Sequence, residues 1–200
     1  MYKLFFKPVF DITSALFGFL LLLPVFIIIM VILFILNDGK AFFLQERPGK
    51  NEKVFKIIKF KTMNDKKDKE GNLLPMVKRI TPFGAFLRKS SLDEIPQLIN
   101  IIKGDMSLIG PRPLLVSYLS MYTDNQKIRH NVKPGVTGWA QVNGRNMITW
   151  KEKFEMDVWY VNNLSFKLDC IIFLRTLKKI VSKSDIAYSE AAVQQSDFLD

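Results

Sequence analysis

The sequence predicts a helix-rich α/β protein whose N-terminal segment anchors it to a membrane. Three observations lead to this prediction. A run of 25 residues, Ile12 to Leu36, contains no charged side chain. Val54 to Lys61 mixes apolar side chains with lysines, as a strand with one wet face does. Farther along, Trp150 to Asn162 and Leu164 to Val181 show the spacing of amphipathic helices.

The apolar run is long enough to cross a bilayer, because each helical residue adds about 1.5 Å and the hydrocarbon core is about 30 Å thick. It is too long for a cleavable signal peptide. Pro24 removes a backbone hydrogen bond to the Leu20 carbonyl, which predicts a kink. Basic residues on both sides favour a helix that enters and leaves by the cytoplasmic face, and from the residues alone a kinked transmembrane span is equally compatible. These residues are Lys3 and Lys7 before the run, and Lys40, Arg47 and Lys50 after it.

Positive charge is concentrated directly after the apolar run. Between Lys40 and Lys89 there are 14 basic and five acidic residues, which supply nearly all of the net charge of +10. Such a surface attracts anionic lipid headgroups and substrates that carry phosphate, so Lys59 or Lys61 is expected near an anionic ligand. A nucleic-acid partner is not expected, because the sequence shows no zinc-finger spacing, aromatic RNA-binding motif or helix-turn-helix.

The residue inventory limits the chemistry. Cys170 is the single cysteine, which excludes an intramolecular disulfide and a multi-cysteine zinc site. His130 is the single histidine, and no nucleophile signature lies beside it, so a structural role is favoured. Any catalysis must therefore depend on carboxylates and cations, with or without a hard metal ion.

Asp93 and Glu94 form an adjacent carboxylate pair at a predicted helix start. Pro96 lacks a backbone N–H and is tolerated in a first helical turn, so the helix is expected to begin within a few residues of the pair. Ser91 and Glu94 also match an S-x-x-E capping box, which would begin the helix earlier. In both cases the helix N-terminus is expected to favour the Asp93 carboxylate and a nearby phosphate. The structural alternative is that acidic residues simply favour first turns.

Two later segments contain arginines suited to phosphate. Arg112 lies between Pro111 and Pro113, where a rigid turn would present its guanidinium for bidentate binding. Arg145 follows a segment, 133–144, that is rich in turn-forming residues. On spacing alone, an ordinary Asn143-Gly144 hairpin is the favoured interpretation of that segment.

Several motifs together resemble the bacterial sugar transferase family, the monotopic phosphoglycosyl transferases. The similarity covers nearly the whole chain in order. It is closest to the small members that start N-linked protein glycosylation with UDP-N,N'-diacetylbacillosamine. The motifs are Phe60-Lys61-Thr62-Met63, Ser91-Leu92-Asp93-Glu94-Ile95-Pro96-Gln97-Leu98, Lys103-Gly104-Asp105-Met106-Ser107, Gly110-Pro111-Arg112-Pro113 and the segment from Lys133 to Arg145.

The resemblance implies transfer of a sugar 1-phosphate from a UDP-sugar to undecaprenyl phosphate, with release of UMP. It also implies an irregular α/β catalytic core with interfacial amphipathic helices at the cytoplasmic face of the bacterial inner membrane. The anchor would be a re-entrant helix broken at Pro24, where Leu23 replaces the serine found in many relatives. The expected organisation is an anchor over 1–39, a catalytic core over 40–183 and a polar tail over 184–200.

The resemblance also implies roles for individual residues. Asp93 would attack the phosphate nearest the sugar, form an aspartyl-phosphosugar and serve as the protein ligand of Mg²⁺. Glu94 would assist or position the acceptor. Gln141 would contact uridine or the sugar. The electropositive pocket would consist of Lys59, Arg88, Arg112 and Arg145.

Two alternatives stay open. The same reaction could use another UDP-hexose or UDP-N-acetylhexosamine, for exopolysaccharide or O-antigen assembly. From a different class of protein, a non-catalytic membrane adaptor would use the basic surface to recruit acidic partners or lipids. The adaptor predicts that Asp93→Asn leaves function intact, which the enzyme excludes.

Overall fold

The computed structural model describes residues 1–144 and 148–182, in which helix far exceeds strand, as predicted. The site candidate Arg145 and the predicted tail over 184–200 lie outside these residues. Short 3-10 helices lie at Lys50–Glu52, Leu92–Glu94, Val116–Met121 and Ile128–Asn131. The longer elements are α1 (Lys7–Leu36), β1 (Phe42–Pro48), β2 (Val54–Phe60), α2 (Met76–Arg79), α3 (Pro82–Lys89), α4 (Gln97–Ile102), β3 (Ser107–Ile109), α5 (Asp124–Lys127), β4 (Gly135–Thr137), α6 (Trp139–Asn143), α7 (Trp150–Asn162) and α8 (Phe166–Ser182).

Helix α1 contains the apolar run and continues through Pro24, so the proline does not interrupt the helix. Together with the preceding turn, Tyr2–Phe6, it is long and apolar enough to cross a membrane. Only 17% of the most apolar 18-residue window of this helix is buried against the rest of the protein. The remainder is an exposed apolar surface of a kind that is stable in lipid rather than in water. Its members include Phe17, Leu21, Ile28 and Ile35.

One face of α1 packs on the rest of the protein along its whole length. The spacing of its buried residues places them on one side of a helix with 3.6 residues per turn. They are Lys7, Asp11, Ala15, Phe26, Ile29 and Leu33. The helix is about 45 Å long and contacts the core near both ends. It therefore lies alongside the core instead of projecting from it.

Strands β1 and β2 form an antiparallel hairpin that α4 holds in place. Asn100 of α4 is fully buried and reaches the free edge of β2. Its Nδ2 donates to the Lys56 carbonyl at 2.8 Å, and its Oδ1 accepts from the Ile58 N–H at 3.0 Å. Asn100 thus supplies the hydrogen bonds that a third strand would make, and it fixes β2 against α4.

Strands β3 and β4 form a small parallel pair, with Ser107 opposite Gly135 and Ile109 opposite Thr137. The two segments approach so closely that a Cβ on Gly135 would lie 2.1 Å from the Gly110 nitrogen. Any larger residue would push the strands apart, so glycine is required at this crossing. The Pro111-Arg112-Pro113 turn leaves the end of β3 from this point.

The C-terminal half confirms two predicted helices and corrects one turn. Helix α7 has the predicted bounds and begins with a capping box built on Thr149 and Glu152. Helix α8 matches the second predicted segment. The predicted Asn143-Gly144 hairpin is wrong, because Asn143 is the last residue of helix α6 and Gly144 is its C-cap.

Buried charges attach the start of α1 to α8. Lys7 Nζ lies 2.8 Å from Asp169 Oδ2, and both side chains are buried. The hydroxyl of Tyr160 donates to Asp169 Oδ1 at 2.8 Å, and that of Tyr2 donates to Oδ2 at 2.7 Å. A buried carboxylate with these partners is costly to remove, because Lys7 would keep only Asp11, whose Oδ2 lies 3.7 Å from Nζ, as a counter-charge.

We expect Asp169→Ala to destabilise the detergent-purified protein by about 3 kcal/mol, because it leaves the buried Lys7 with only the more distant Asp11 as a counter-charge and removes the acceptor of the Tyr160 hydroxyl. The thermal unfolding midpoint, followed by intrinsic fluorescence, measures this. Tyr2→Phe is the matched control, since it removes one hydrogen bond from the same carboxylate and should cost about 1 kcal/mol. Equal midpoints for Asp169→Ala and the wild type would show that this cluster does not hold α1 in place.

Candidate active site

The carboxylate pair lies on the 3-10 helix Leu92–Glu94, between α3 and α4. The preceding Ser91 has a φ of 57° and makes no side-chain capping bond, so the predicted capping box is wrong. Helix α4 begins at Gln97 with Pro96 as its N-cap, which confirms that the proline marks the helix start. Asp93 and Glu94 therefore project from a tight turn just ahead of the helix.

Two cations from distant segments converge on Glu94. Its Oε1 lies 2.8 Å from Lys59 Nζ of β2 and 2.9 Å from Arg112 Nη2 of the proline turn. Burial alone would raise the pKa of Glu94, but the charges of Arg112 and Lys59 outweigh it and hold the pKa at about 2. Glu94 is therefore ionised at any physiological pH and joins β2 to the proline turn.

Asp93 lies in the opposite environment. It forms no hydrogen bond or ion pair with any residue in 1–144 and 148–182. Burial, followed by the charge of Glu94, raises its pKa to about 6, although Lys59, Arg88 and Arg112 act in the other direction. The expectation that the helix start would favour the Asp93 carboxylate is therefore wrong, because desolvation outweighs the local field.

Helix α3 brings Arg88 to the pair by docking on Thr62. Arg88 Nε donates to Thr62 Oγ1 at 2.8 Å. One turn earlier, a Cβ on Gly84 would lie 2.0 Å from the Thr62 carbonyl oxygen, so only glycine permits this approach. Residues four apart lie on the same face of a helix, and Gly84 and Arg88 thus dock together. Thr62 belongs to the Phe60-Lys61-Thr62-Met63 motif, and this contact gives that motif a physical role.

Arg112 is held through its backbone by a second, buried arginine. The Arg112 carbonyl accepts from Arg129 Nη2 at 2.8 Å. The same guanidinium pairs with Asp157 of α7 at 2.7 Å, and both residues are buried. The Pro111 carbonyl accepts from the Gly135 N–H at 3.0 Å. No sequence motif marks Arg129 or Asp157, and only their burial in the fold reveals that they position Arg112.

Lys61 and Gln141, two further predicted residues, bond to groups outside the carboxylate pair. Lys61 pairs with Asp65 instead of an acidic residue of the site. Gln141, on α6, donates through Nε2 to the Val136 carbonyl at 3.0 Å, and its buried Oε1 lacks a partner. Of the predicted cations, the structure thus brings Lys59, Arg88 and Arg112 together around Asp93 and Glu94.

His130 is confirmed as a structural residue. It is buried behind the proline turn, at the side of Arg129. Burial and the charge of Arg129 lower the pKa of His130 to about 4, so the imidazole is neutral at physiological pH. It therefore cannot exchange protons as an acid or base near neutrality.

Comparison with known protein families identifies the family to which this chain belongs. The family model described as bacterial sugar transferase matches residues 2–183, which includes every residue of the site described above. The chain belongs to the bacterial sugar transferase family. It is therefore a transferase, and the alternative of a non-catalytic adaptor is not supported.

Curated relatives of this transferase agree with the assignment. The uncharacterized sugar transferase EpsL of Bacillus subtilis is 51% identical, over 90% of this chain and 89% of EpsL. The UDP-galactose-lipid carrier transferase of Erwinia amylovora is 38% identical, over 92% of this chain and 42% of that protein. The UDP-glucose:undecaprenyl-phosphate glucose-1-phosphate transferase of Xanthomonas campestris is 37% identical, over 74% of this chain and 33% of that protein. The chain thus spans less than half of the last two relatives.

The two carboxylates should affect the stability of this transferase in opposite directions. Asp93 has a raised pKa, so its ionisation costs stability that grows as the pH rises from about 4 to 6 and persists above. Glu94 has a lowered pKa, so it contributes stability above about pH 4.5 that is lost as the pH falls toward 2. At pH 8 we expect Asp93→Asn to raise the thermal unfolding midpoint and Glu94→Gln to lower it.

Unfolding scans of the three proteins at pH 8 and pH 4.5 test this expectation. The gain from Asp93→Asn should shrink at the lower pH, because the wild-type carboxyl is then protonated in the folded protein. A midpoint for Asp93→Asn at or below that of the wild type at pH 8 would contradict the unfavourable environment of Asp93.

Proposed function

We propose that this transferase moves a sugar 1-phosphate from a UDP-sugar to undecaprenyl phosphate and releases UMP. The observation that carries the proposal is the contrast between the two adjacent carboxylates. Glu94 is neutralised by two cations, whereas Asp93 is unpaired and has a pKa of about 6. The donor and acceptor classes are those named for the Erwinia and Xanthomonas relatives.

In the proposed first step, an Asp93 oxygen attacks the phosphorus nearest the sugar. The bond from that phosphorus to the bridging oxygen breaks, and UMP departs with the electron pair, leaving an aspartyl-phosphosugar. A phosphate oxygen of undecaprenyl phosphate then attacks the same phosphorus and frees the Asp93 carboxylate. The raised pKa of Asp93 makes it a better nucleophile while leaving it mostly ionised at neutral pH.

The cations around the pair would stabilise the charge that develops on the diphosphate. Lys59 and Arg112 are fixed by Glu94, and Arg88 is fixed by Thr62. Fixed donors need little reorganisation during the reaction, which favours electrostatic catalysis. Glu94 would act mainly by positioning these cations, and its predicted assistance to the acceptor stays a prediction.

Mg²⁺ is part of the proposal, with Asp93 as its protein ligand. Residues 1–144 and 148–182 contain no group of three or more histidine, cysteine, aspartate and glutamate side chains able to hold a metal ion. Mg²⁺ is commonly bound through one or two carboxylates and completed by water and substrate phosphates, so an unpaired Asp93 fits it. The bound ion would neutralise charge on the diphosphate.

We propose a monotopic position at the cytoplasmic face of the inner membrane, and the packing of α1 supports the monotopic part of this proposal. Lys7 contacts Asp169 near one end of the helix, and Leu33 is buried in the core near the other. A helix that crossed the bilayer would carry one of these ends away from a core lying on one side. Instead, its exposed apolar face would lie in lipid, bringing the site to the phosphate of the lipid carrier.

The sequence motifs and the named relatives point to different sugars for the donor. The sequence motifs favour UDP-N,N'-diacetylbacillosamine and protein glycosylation. The names of the Erwinia and Xanthomonas relatives, which contain galactose and glucose, favour a UDP-hexose. A panel containing UDP-N,N'-diacetylbacillosamine, UDP-galactose, UDP-glucose and UDP-N-acetylgalactosamine separates these donors in one experiment.

The direct test of function is UMP release by detergent-purified protein with Mg²⁺, each donor of the panel and undecaprenyl phosphate. We expect acceptor-dependent UMP formation from one donor, and loss of at least a thousandfold in Asp93→Asn because the nucleophile is absent. Unchanged UMP formation in a folded Asp93→Asn variant would overturn the proposed nucleophile.

The pH dependence of the same assay tests the state of Asp93. Since the carboxylate must be ionised to attack, UMP release should fall about tenfold per pH unit below the pKa of Asp93, which is about 6 in the metal-free protein and is lowered when Mg²⁺ binds. Glu94→Gln should be slower, and its acid limb should move to lower pH, because the charge of Glu94 raises the pKa of Asp93. A limb that stays in place would show that another group controls the profile.

A further inference from the structure

Arg47, on β1, is a cation that the site described above does not use. Its Nε is buried and has no hydrogen-bond partner. Within 1–144 and 148–182, its side chain bonds only to Gln45, through Nη2, and pairs with no carboxylate. Arg47 as a whole is half-buried, so part of its guanidinium is withdrawn from water without a carboxylate partner among these residues. Such a group is unfavourable unless a ligand supplies the anion.

Arg47 lies beside Arg112. The residues that follow it, Pro48 and Gly49, line one small cavity of about 10 Å³ together with Arg112 and its flanking prolines. Burial, and next the charge of Arg112, lower the pKa of Arg47, and the other ionisable groups that act on it are Tyr118 and Tyr122. Two guanidinium groups thus lie near enough to act on each other, and of the two only Arg112 pairs with a carboxylate, Glu94, among the described residues. Neighbouring guanidinium groups with an excess of positive charge are the pattern of an anion site.

The hairpin register directs Arg47 toward the carboxylate pair. Arg47 is opposite Phe55, and Lys59 is opposite Phe43. Opposed residues and every second residue share one face of a hairpin, so Arg47 and Lys59 lie on the same face, about 13 Å apart along the strands. Lys59 contacts Glu94, and Arg112 contacts Glu94 while lying near Arg47. Arg47 therefore neighbours Arg112 on the side away from Glu94, and it lies farther from the carboxylate pair than Arg112 does.

We propose that Arg47 is a further phosphate-binding residue, which pairs with Arg112 on a substrate phosphate next to the one that Asp93 attacks. This inference rests on the proposed function. In the first step that group is the phosphate of UMP. When the bond from the attacked phosphorus to the bridging oxygen breaks, the electron pair stays on UMP, and Arg47 balances the added charge. The phosphate of the lipid acceptor has the same chemistry and is the second source to be tested.

Measuring the two half-reactions separately distinguishes UMP from the lipid acceptor as the source of the phosphate that Arg47 binds. The first is UMP release during a single turnover without acceptor, and the second is transfer of the preformed adduct to undecaprenyl phosphate. We expect Arg47→Gln to slow the first by about tenfold to a hundredfold, as loss of a charge-assisted hydrogen bond does. Arg47→Lys should recover part of the rate, because it keeps the charge without the planar fork. Lys53→Gln is the matched control, an exposed cation of the same hairpin whose loss should leave both steps unchanged.

The outcomes are distinct. Slowing confined to the second half-reaction supports a phosphate-binding role and assigns the phosphate to the lipid acceptor. Rates within twofold of the wild type in both steps overturn the inference. If Arg47→Gln does not fold, the binding of UMP to Arg47→Lys provides the test. UMP should raise the unfolding midpoint of Arg47→Lys less than it raises that of the wild type. An equal rise in both proteins overturns the phosphate-binding role of Arg47. A wild type that releases no UMP from any donor speaks against the proposed function instead.

Discussion

The site depends on one carboxylate oxygen that accepts from two cations. Glu94 Oε1 joins Lys59 of the hairpin to Arg112 of the proline turn, and so connects three segments that are far apart in the sequence. An ion pair that is partly buried retains much of its strength, because the surrounding protein screens it less than water does. Glu94 takes these hydrogen bonds, and its neighbour Asp93 is half-buried and has no partner among the described residues, which raises its pKa. The division between an anchoring carboxylate and an unpaired one follows from that single arrangement.

Buried polar side chains keep the partners of Glu94 in place. Asn100 holds the edge of β2, and therefore Lys59, against the helix that follows the pair. Arg129 holds the Arg112 carbonyl and is itself neutralised by Asp157. Each of these groups is satisfied by several hydrogen bonds, as buried polar groups must be to stabilise a fold. The catalytic core contains little sheet, and such side-chain bonds replace the longer ladders that position sites in other α/β proteins.

Local patterns were sufficient to predict α1, β2 and α7, because the apolar run or apolar spacing that indicates each element lies within one short segment of the sequence. The carboxylate pair and Arg112 stood out through the prolines beside them. The supporting residues could not be found in this way, since Asn100 and Arg129 act through partners that only the fold brings near. The environment of Asp93 was also misjudged, because the degree of burial is a property of tertiary packing. Gln141 was singled out by its motif, and in the structure its side-chain amide donates to the Val136 carbonyl.

The central claim is that Asp93 is a free nucleophile beside an anchored glutamate. Intact-mass spectrometry tests it most directly, after incubation of the purified protein with Mg²⁺ and the accepted UDP-sugar in the absence of undecaprenyl phosphate. The account predicts a mass increase of one sugar phosphate, located on Asp93 by peptide mapping and removed when the acceptor is added. A protein that makes product at the usual rate, yet never gains this mass or gains it on another residue, would contradict the account.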